Sequence, residues 1–588
     1  MLKLIKKLRK KEIMLLFISS IFILAQVWLE LRLPDYMANI TTLVQTPDSS
    51  INDIVRQGID MFNCSLSILI ISVIIGLLTS FIGAGFSKNL RKDVFDKVYS
   101  FGMEEVKKFS ISSLITRTTN DITHVQKILS MGLQIAIKAP IMAVWAISKI
   151  LNKSYELSGL TGIAVVLIFV IMTGLMSLVI PKFKLVQKLT DNINGVVREN
   201  LLGIRVIRAY NAEHYQEDKF EKVNRELTKI GKFTGKIMNI LWPIMDLVTY
   251  FLTLGIYIVG ALLIENAALD MKLDLFSNVI VFSNYSMQVI SSFMMLSMIL
   301  IMYPRVSVSA NRILEVLNTK PKVVEGEFDG QTELKGKIEF KNVYFRYPDS
   351  NSYCLENISF IVNKGETIGF IGATGCGKST LINLIPRFYD VTSGEILIDG
   401  INIKEYSKEC LYSKMGYVPQ KSTLFSGTVN ENVTYGEKEG IKPDYDSMVD
   451  AIKVAQGEEF VLKMPEQYDS VISRGGSNIS GGQKQRLQIA RAIARNPEIL
   501  IFDDSFSALD YKTDAVLRKA LRDSTQESTN RIVAQRIGTI RYADKIIVLD
   551  NGKVVGMGKH DELLDNCKLY RDIAESQLKK GELYNAKA

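Results

Sequence analysis

The chain has 588 residues and a mass of 66.1 kDa, which is more than one ordinary globular domain accommodates. Hydrophobic residues make up 47% of it, and the five cysteines are scattered, so neither a disulfide framework nor a metal-binding spacing is indicated. The formal net charge of +9 could suit nucleic acid, but beside long apolar runs it indicates loops that face anionic lipid, and we expect no nucleic-acid partner.

Six apolar stretches occupy the first 303 residues, and each is long enough to cross a bilayer core of ~30 Å as a helix of ~20 residues. They are about Ile13–Leu33, Ser65–Phe86, Ile128–Ile147, Gly159–Ile180, Ile240–Ile264 and Phe276–Tyr303. An even number of spans puts both ends on one side, and the lysines before the first span place that side in the cytoplasm. We predict a six-helix transmembrane domain over residues 1–304 in the plasma membrane, with both termini cytoplasmic.

Two long segments, 87–127 and 181–239, join spans 2 to 3 and spans 4 to 5. Both are charged, permissive for helix and poor in proline and glycine. We expect the membrane helices to continue through them into the cytoplasm. The alternative is that they are ordinary solvated loops, although loops this long need a reason in a compact protein.

The composition changes near Pro304. A connecting helix, about Val306–Leu317, and a polar linker are predicted over residues 305–335. From residue 336 to 588, short β-rich runs alternate with helical ones, which predicts a soluble α/β domain that also lies in the cytoplasm.

A phosphate-binding loop follows the predicted apolar strand Thr367–Ile371 of this domain. The sequence "GATGCGKS" fits the P-loop pattern, with a strand before it and a helix after it. The glycines let backbone N–H groups surround phosphate, the lysine reaches the β- and γ-phosphates, and Ser379 ligates Mg²⁺. We therefore predict ATP and Mg²⁺ as cofactors, held by Gly372, Gly375, Gly377, Lys378, Ser379 and Thr380.

Asp503 ends a later strand, "ILIFD", where a carboxylate supports Mg²⁺. The alternative, an acid facing water, loses weight beside the phosphate loop. Between the two sites, "SGGQ" begins a helix and forms either a second anion-binding turn or a plain helix cap, and residue chemistry alone does not decide between them.

With these motifs in place the chain resembles an ABC exporter half-transporter, one type I membrane domain fused to one P-loop NTPase domain, over essentially all residues. Further support comes from "LELRLPDYMANI", "SLITRTTNDI" and "RENLLGIRVIRAYNAE" in the membrane domain. The resemblance implies that Tyr347 stacks on adenine, that Gln420 contacts Mg²⁺, and that Ser507–Asp510 is the D-loop. It also implies the signature residues, Ser480, Gly481, Gly482 and Gln483, with Ile479 where leucine is usual.

The resemblance implies a mode of action as well. Two nucleotide-binding domains close head to tail over two ATP molecules, each lying between one phosphate loop and the other domain's signature. Closure switches the membrane halves from inward-open to outward-open, and hydrolysis resets them. Coupling helices at the tips of the long segments, placed near Glu104–Leu114 and Ile207–Glu213, would transmit the motion.

Two positions depart from the family in the catalytic side chains. Asp504 stands where the family has the glutamate that polarises water, and Gln535 stands where it has a histidine at the γ-phosphate. Losing a methylene retracts the carboxylate by ~1.5 Å, and a misplacement of ~1 Å can cost ~100-fold in rate. An amide can donate a hydrogen bond but cannot become charged. A weaker departure is Ser473–Asn478, where many exporters have a glutamate.

These departures favour the subunit of a bacterial heterodimeric multidrug-type exporter that carries the degenerate nucleotide-binding site. Its partner would carry the catalytic glutamate and histidine, and the signature of this chain would complete the partner's site. Two alternatives stay open: an active homodimeric exporter, and an ATP-gated or regulatory membrane assembly without tightly coupled transport.

Candidate substrate-path residues lie in the spans, and lipophilic drugs, lipids or peptides are the expected substrates. Lys138 and Asp246 are charges in apolar runs, which could meet a substrate, each other or a partner residue. The sixth span carries methionines at near-helical spacing, which suit adaptable apolar ligands or plain helix packing. They are Met287, Met294, Met298 and Met302.

Overall fold

The protein is described by a computed structural model. The structure describes residues 2–46, 49–151, 154–268, 271–438, 440–506, 509–524, 529–533 and 537–578. The chain divides into two compact units, Met1–Tyr99 with Ser112–Thr319 and Ser100–Ile111 with Lys320–Ala588. The first unit is helical in its described part and the second is α/β, which confirms the predicted fold class; the finer boundaries at 304 and 335 stay a prediction.

The helices of the N-terminal half are, in chain order, α1 (Leu2–Ile5), α2 (Lys10–Glu30), α3 (Leu33–Gln45), α4 (Ile51–Tyr99), α5 (Met103–Phe109), α6 (Ile111–Thr118), α7 (Asn120–Lys127), a π-helical turn (Ile128–Gly132), α8 (Leu133–Leu151), α9 (Tyr155–Leu202), α10 (Ile204–Ala209), α11 (Glu213–Glu265) and α12 (Lys272–Asn318). Of these, α5 belongs to the second compact unit. Within the first unit, α9 packs along α11 and α8 along α12, around buried side chains such as Ile23, Ile256 and Phe282.

Six helical segments of the described chain are long and apolar enough to cross a membrane, in agreement with the six predicted spans. They are Lys10–Gln45, Ile51–Tyr99, Ile111–Leu151, Tyr155–Leu202, Glu213–Glu265 and Lys272–Ile299. The first segment is interrupted between α2 and α3, where Pro34 lies in the first turn of α3. A proline tolerates this position because its missing N–H would have no helical partner there.

Four helices of the described chain run far beyond the length of a membrane span. Helices α4, α9, α11 and α12 have 49, 48, 53 and 47 residues, or roughly 70–80 Å each at 1.5 Å per residue. The predicted continuation of the spans into long helices is therefore present. The predicted connecting helix, Val306–Leu317, is not separate, because α12 runs without interruption through it.

Short helices lie near both predicted coupling-helix positions, with changed bounds, and their coupling role stays a prediction. Residues Glu104–Leu114 are divided between α5 and α6, because Ser110 adopts a left-handed backbone with φ 60°. The second prediction, Ile207–Glu213, is displaced: the short helix is α10 (Ile204–Ala209), and α11 starts at Glu213. Asn211, with φ 50°, makes the turn between them, a conformation that asparagine tolerates.

The strands of the second unit are β1 (Ile338–Phe345), β2 (Leu355–Val362), β3 (Thr367–Gly372), β4 (Ser393–Ile398), β5 (Ile401–Asn402), β6 (Met415–Val418), β7 (Gly427–Thr428), β8 (Val471–Ile472), β9 (Ile499–Asp503), β10 (Thr529–Val533), β11 (Lys545–Asp550) and β12 (Lys553–Gly558). A sheet in the order β12-β11-β3-β10-β9-β6 is parallel except for β12, and an antiparallel sheet has the order β2-β1-β4-β5. The strands β7 and β8 form a separate pair.

The helices of this unit are α13 (Lys378–Leu384), α14 (Lys408–Ser413), α15 (Val429–Val433), α16 (Tyr445–Val454), α17 (Glu458–Leu462), α18 (Gly481–Ala494), α19 (Tyr511–Ser524), α20 (Ile537–Ile540), α21 (His560–Asn566) and α22 (Lys568–Gln577). The parallel sheet lies in the core, and strand β9 is buried along its whole length. Because parallel strands end at one edge, the loops after β3 and β9 open on the same side, where ligands bind in sheets of this kind.

Candidate nucleotide-binding site

The loop between β3 and α13 is shaped by glycines. Gly375 and Gly377 have φ values of 87° and 104°, in the left-handed region that an L side chain rarely adopts. A Cβ at Gly375 would meet no atom within 4 Å, so the loop is open on that side. Successive backbone N–H groups in such a turn, ending at a helix start, form a concave site for an anion.

The Lys378 side chain is held inside this loop. It is 8% exposed, and its Nζ donates to the carbonyl oxygens of Gly372 at 2.7 Å and Ala373 at 2.9 Å. The ammonium therefore lies at the curl of the loop rather than in solvent. A positive charge fixed there fits the phosphates of a nucleotide.

Ser379 and Asp503 meet at the edge of the sheet. The Ser379 hydroxyl donates to Asp503 Oδ1 at 2.9 Å. Burial raises the pKa of the Asp503 carboxyl above its ordinary value, and the hydrogen bond from Ser379 opposes that rise. A hydroxyl and a buried carboxylate side by side are hard oxygen donors, and a divalent cation would offset the cost of burying the charge. These residues fit Mg²⁺.

Asp504 follows Asp503 directly. Its backbone is left-handed, with φ 47°, and its Oδ2 lies 3.5 Å from Nε2 of Gln420 in the loop after β6. The structure therefore brings together the two side chains predicted to position water and contact the metal. The 3.5 Å separation is longer than the usual hydrogen bond of about 2.9 Å.

Tyr347 closes the site on another side. Its hydroxyl is 3.0 Å from Oγ1 of Thr380, and its ring contacts that of Tyr389 edge-on. Burial raises the pKa of the Tyr347 hydroxyl. Thr380, in the first turn of α13, thus links the predicted adenine-stacking ring to the phosphate loop.

Sequence analysis gave no role to Lys107, which the structure places beside this tyrosine. Its ammonium lies 5.1 Å from the centre of the Tyr347 ring and 5.4 Å from that of Tyr389. A hydrogen bond with Tyr389 raises the pKa of Lys107. The only hint in the sequence is that Lys107 lies in a predicted coupling helix.

Helix α5 is anchored to the chain just after α12. Glu105 Oε1 accepts a hydrogen bond from the backbone N–H of Lys322 at 3.0 Å, and the Lys322 ammonium pairs with Glu104. A cleft of about 460 Å³ opens beside this contact, lined by residues that include Arg346 and Asp390. These contacts explain why α5 belongs to the α/β unit.

The "SGGQ" turn caps α18 and remains accessible. Ser480 Oγ accepts from the N–H of Gln483 at 3.3 Å, and Gln483 Oε1 accepts from the N–H of Ser480 at 2.8 Å. This reciprocal arrangement is a capping box. Ser480 and Gly481 are exposed, and Gly482 and Gln483 are partly so. The turn is therefore a helix cap whose outer side is free to meet another molecule.

Several predicted site residues lie elsewhere. Gln535 and the first two residues of the predicted D-loop, Ser507 and Ala508, lie outside the described residues. Asp246 is exposed on the surface of the helical unit. Lys138 pairs with Glu30 at 2.7 Å and not with Asp246. Sequence analysis missed Glu30 because it ends an apolar run that reads as a plain span.

The methionines of the sixth span lie on α12. Met287 and Met298 are 39% and 50% exposed, whereas Met294 is intermediate and packs beside the core of the helical unit. Partial exposure fits both interpretations, a soft surface for ligands and packing against another helix. Their role in a substrate path stays a prediction.

Comparisons with known proteins cover both units. Residues 13–302 match the family described as the ABC transporter transmembrane region, and residues 355–507 match the ABC transporter family. An uncharacterized ABC transporter ATP-binding protein of Mycobacterium tuberculosis is 36% identical over 529 residues, 89% of each chain. YfiB of Bacillus subtilis, also an uncharacterized ABC transporter ATP-binding protein, is 35% identical over 564 residues, 95% of this chain and 96% of its own.

The fold has a close counterpart among solved structures. A bacterial Atm1-family ABC exporter with ATP bound superposes with a TM-score of 0.82 at 22% identity, over 97% of this chain and 100% of that one. Six candidate spans therefore precede a nucleotide-binding domain in the arrangement of an exporter fold. Each half of the sequence matches one of the two ABC transporter domain families, and the chain belongs to the ABC transporters, as a multi-pass membrane protein fused to its own ATP-binding domain.

Proposed function

We propose that this chain is one half of a heterodimeric exporter that uses ATP and Mg²⁺ to move lipophilic compounds, such as drugs, lipids or peptides, out of the cytoplasm by alternating access. Its own nucleotide site would bind ATP and hydrolyse it slowly. The observation that carries the proposal is Asp504, an aspartate at the position of the water-polarising base, in a site whose Ser379, Gln420 and Asp503 lie together.

Binding is supported by the phosphate loop and its neighbours. Lys378 supplies a fixed positive charge, and Tyr347 presents a ring linked to the loop through Thr380. Mg²⁺ would be held by Ser379, Gln420 and Asp503, and it would neutralise charge on the β- and γ-phosphates. In this site, the oxygens of Ser379 and Asp503 are held in position as donors to the metal, and the ammonium of Lys378 attracts the phosphates into the loop.

The proposal of weak hydrolysis is supported by the short reach of the Asp504 side chain. The Asp504 carboxylate is one methylene shorter than that of the family's glutamate, about 1.5 Å less extended, and its backbone φ of 47° fixes where the side chain starts. Aspartate and glutamate have similar ordinary pKa values, so position and not basicity limits the step. The amide of Gln535 would add a second loss, since it cannot carry a proton.

A partner is supported by the accessible signature turn. The exposed outer side of Ser480 and Gly481 would face the ATP of a second half-transporter, which would carry the glutamate and histidine. The backbone N–H groups at the start of α18 favour negative charge there. This chain would thus complete the faster site while holding ATP in its own.

The proposed orientation in the membrane is supported by the basic residues before the first span. Six lysines and arginines precede the first long apolar run, and basic residues flanking a span favour the cytoplasmic side. Both termini and the ATP-binding domain would then be cytoplasmic, as an exporter at the plasma membrane requires.

The test compares the chain with a variant that restores both family side chains. Purified alone in lipid, the wild-type chain should bind ATP but hydrolyse it about 100-fold more slowly than Asp504→Glu/Gln535→His, read as phosphate release. Lys378→Met in either background should abolish binding. A wild-type chain that hydrolyses ATP alone as fast as the restored variant would establish the homodimeric alternative instead.

The transport step needs its own readout. Inside-out vesicles that contain the chain and its partner should accumulate a lipophilic probe uphill when ATP is added. Passive flux that ATP merely switches on, without accumulation, would establish the gate-like alternative.

A further inference from the structure

The first membrane helix is interrupted at Glu30, where α2 ends two residues before α3 begins. The interruption frees backbone carbonyl groups that a continuous helix would satisfy. Two side chains of α12, one turn apart, lie at the gap: Gln288 Nε2 donates to the Glu30 carbonyl at 3.1 Å, and the Tyr285 hydroxyl, which has one hydrogen to donate, lies 3.0 Å from the Leu31 carbonyl and 2.7 Å from Asp35 Oδ1. The break between α2 and α3 is therefore stabilised by side chains of α12.

Two acid–base pairs flank this break, both between the first and third spans. Glu30 Oε1 is 2.7 Å from Lys138 Nζ, and Asp35 Oδ2 is 3.0 Å from Lys149 Nζ. The two lysines lie about three turns apart on one face of α8. The outer pair is open, with side-chain exposures of 47% and 40%, whereas Lys138 and Glu30 are only 13% and 17% exposed.

The cluster around Glu30 has more acceptors than donors. Gln26 Nε2 donates to Glu30 Oε1 at 2.8 Å, so turning either amide of Gln26 or Gln288 would set oxygen against oxygen. Their Oε1 atoms are buried and have no hydrogen-bond partner among the described residues, and Gln26 is only 4% exposed. Around the break, two amide oxygens are thus left without a donor in the described part of the chain, while the ammonium of Lys138 is bound to the Glu30 carboxylate.

A surplus of acceptors beside a carboxylate is the chemistry that recognises a cation with N–H donors. Met287 directly precedes Gln288 on α12 and is 39% exposed, so it offers a soft apolar surface about 100° around the helix from Gln288. An apolar body with an ammonium head fits these two features together. A neutral ligand can donate a hydrogen bond to the unpaired oxygens but gains no charge interaction with Glu30, and an anionic ligand is repelled by its carboxylate.

We propose that Glu30 is the residue by which the transporter selects cationic amphiphiles, and that Lys138 is an internal counter-ion which the substrate cation displaces. The inference rests on the proposed export function and names its substrate class. The carboxylate is already desolvated and held in place by Gln26, so the exchange of one ammonium for another needs little reorganisation. Lys138 turns its flexible chain toward water when displaced, and its return releases the substrate.

The experiment uses the whole transporter in lipid nanodiscs and two fluorescent probes that share one aromatic body. Doxorubicin carries an ammonium group, and N-acetyldoxorubicin is neutral. Binding is measured by fluorescence anisotropy for wild type, Glu30→Gln, Lys138→Met and the control Lys149→Met, which breaks the open pair on the same helix.

Glu30→Gln should weaken doxorubicin binding by about tenfold and Lys138→Met should strengthen it by about tenfold, because one removes the carboxylate and the other removes its competitor. Binding of the neutral probe should not change, and Lys149→Met should match wild type. A purely structural ion pair predicts something else, since both substitutions would then weaken both probes together.

Three results would overturn the proposal. The first is that wild type binds the two probes equally or binds neither. The others are that Glu30→Gln binds doxorubicin as wild type does, and that Lys138→Met binds it less tightly than wild type. ATP-dependent uptake of the neutral probe into vesicles tests the export function separately. Uptake without cation selectivity would contradict this inference alone. Cation-selective binding without any uptake would contradict the export function and leave Glu30 as a binding residue.

Discussion

The hydroxyl of Ser379 donates a hydrogen bond of 2.9 Å to the carboxylate of Asp503, across 124 positions of sequence. The contact joins the first turn of α13 to the end of the buried strand β9. Two hard oxygen donors are thus fixed at one point on the edge of the parallel sheet, next to the loop that holds Lys378. The geometry of these two donors fits a divalent metal ion within the candidate nucleotide site.

Removing the charge of Asp503 should therefore weaken ATP binding only when Mg²⁺ is present. Asp503→Asn keeps the shape and the hydrogen bond from Ser379 but removes the anionic ligand. We expect the affinity for ATP with Mg²⁺ to fall by about tenfold, since a hydrogen bond or contact to a charged group contributes about 1.5–3 kcal/mol. Titration of a fluorescent ATP analogue with Mg²⁺ and with EDTA measures this, and an equal loss in EDTA would contradict the metal role.

Substitutions of Tyr347 should separate stacking from hydrogen bonding. Tyr347→Phe loses only the contact of 3.0 Å with Thr380, which is worth about 1 kcal/mol and predicts a few-fold loss of ATP affinity. Tyr347→Ala also loses the ring, and stacking of a base on an aromatic ring contributes about 1–3 kcal/mol. Competition binding by ATP measures both. Similar affinities for the two variants would remove Tyr347 from the adenine site.

A buried cation also stabilises the α/β unit. Lys414, whose side chain is 8% exposed, pairs with the fully buried carboxylate of Asp399 at 2.9 Å and with Glu498 at 3.0 Å. Lys414→Met leaves the Asp399 charge without its cation, and we expect a loss of about 3–5 kcal/mol in the free energy of unfolding. Thermal unfolding of the purified transporter, with its nucleotide site empty and filled, measures the shift.

The double variant Lys414→Met/Asp399→Asn is the matched control. It should recover part of the loss, because the uncompensated charge is gone. If the losses in the free energy of unfolding from the two substitutions simply add, then packing of the Lys414 side chain, and not its charge, stabilises this region.

Much of the nucleotide site could be predicted from sequence because its ligands lie in short segments at fixed spacing. The strand, glycine loop and helix from Thr367 to Leu384 are read from local pattern alone. Asp503 could be predicted because a carboxylate that ends an apolar strand has few other reasons to be there. Six spans could be predicted because apolar length is itself the signal.

Other features depend on contacts that no local pattern encodes. Glu30 and Lys138 are 108 positions apart, and only the packing of α2 against α8 makes them a pair. Lys107 becomes a neighbour of Tyr347 only because α5 packs within the α/β unit. The bounds of α10 were misplaced because "IRVIRAYNAE" permits helix throughout, and the left-handed turn at Asn211 decides where it breaks.

The last residue of α9, the short helix α10 and the turn after it present apolar side chains that the described helical unit leaves uncovered. Leu202, Val206 and Tyr210 are 84%, 60% and 80% exposed, in a chain segment between two helices of roughly 70–80 Å. Large exposed apolar groups at one place indicate a contact with another surface. We expect a nucleotide-binding domain to contact them, since the segment resembles a coupling helix.

Tyr210→Ser should therefore uncouple the transporter without unfolding it. We expect the basal ATPase rate to remain, because no residue of the nucleotide site changes, while stimulation by a transported probe and ATP-driven uptake fall by about tenfold or more. Tyr155→Ser is the matched control, since Tyr155 is 83% exposed but lies at the opposite end of α9. Equal losses in the two variants, or stimulation that survives in Tyr210→Ser, would show that α10 does not transmit the signal from ATP to the membrane helices.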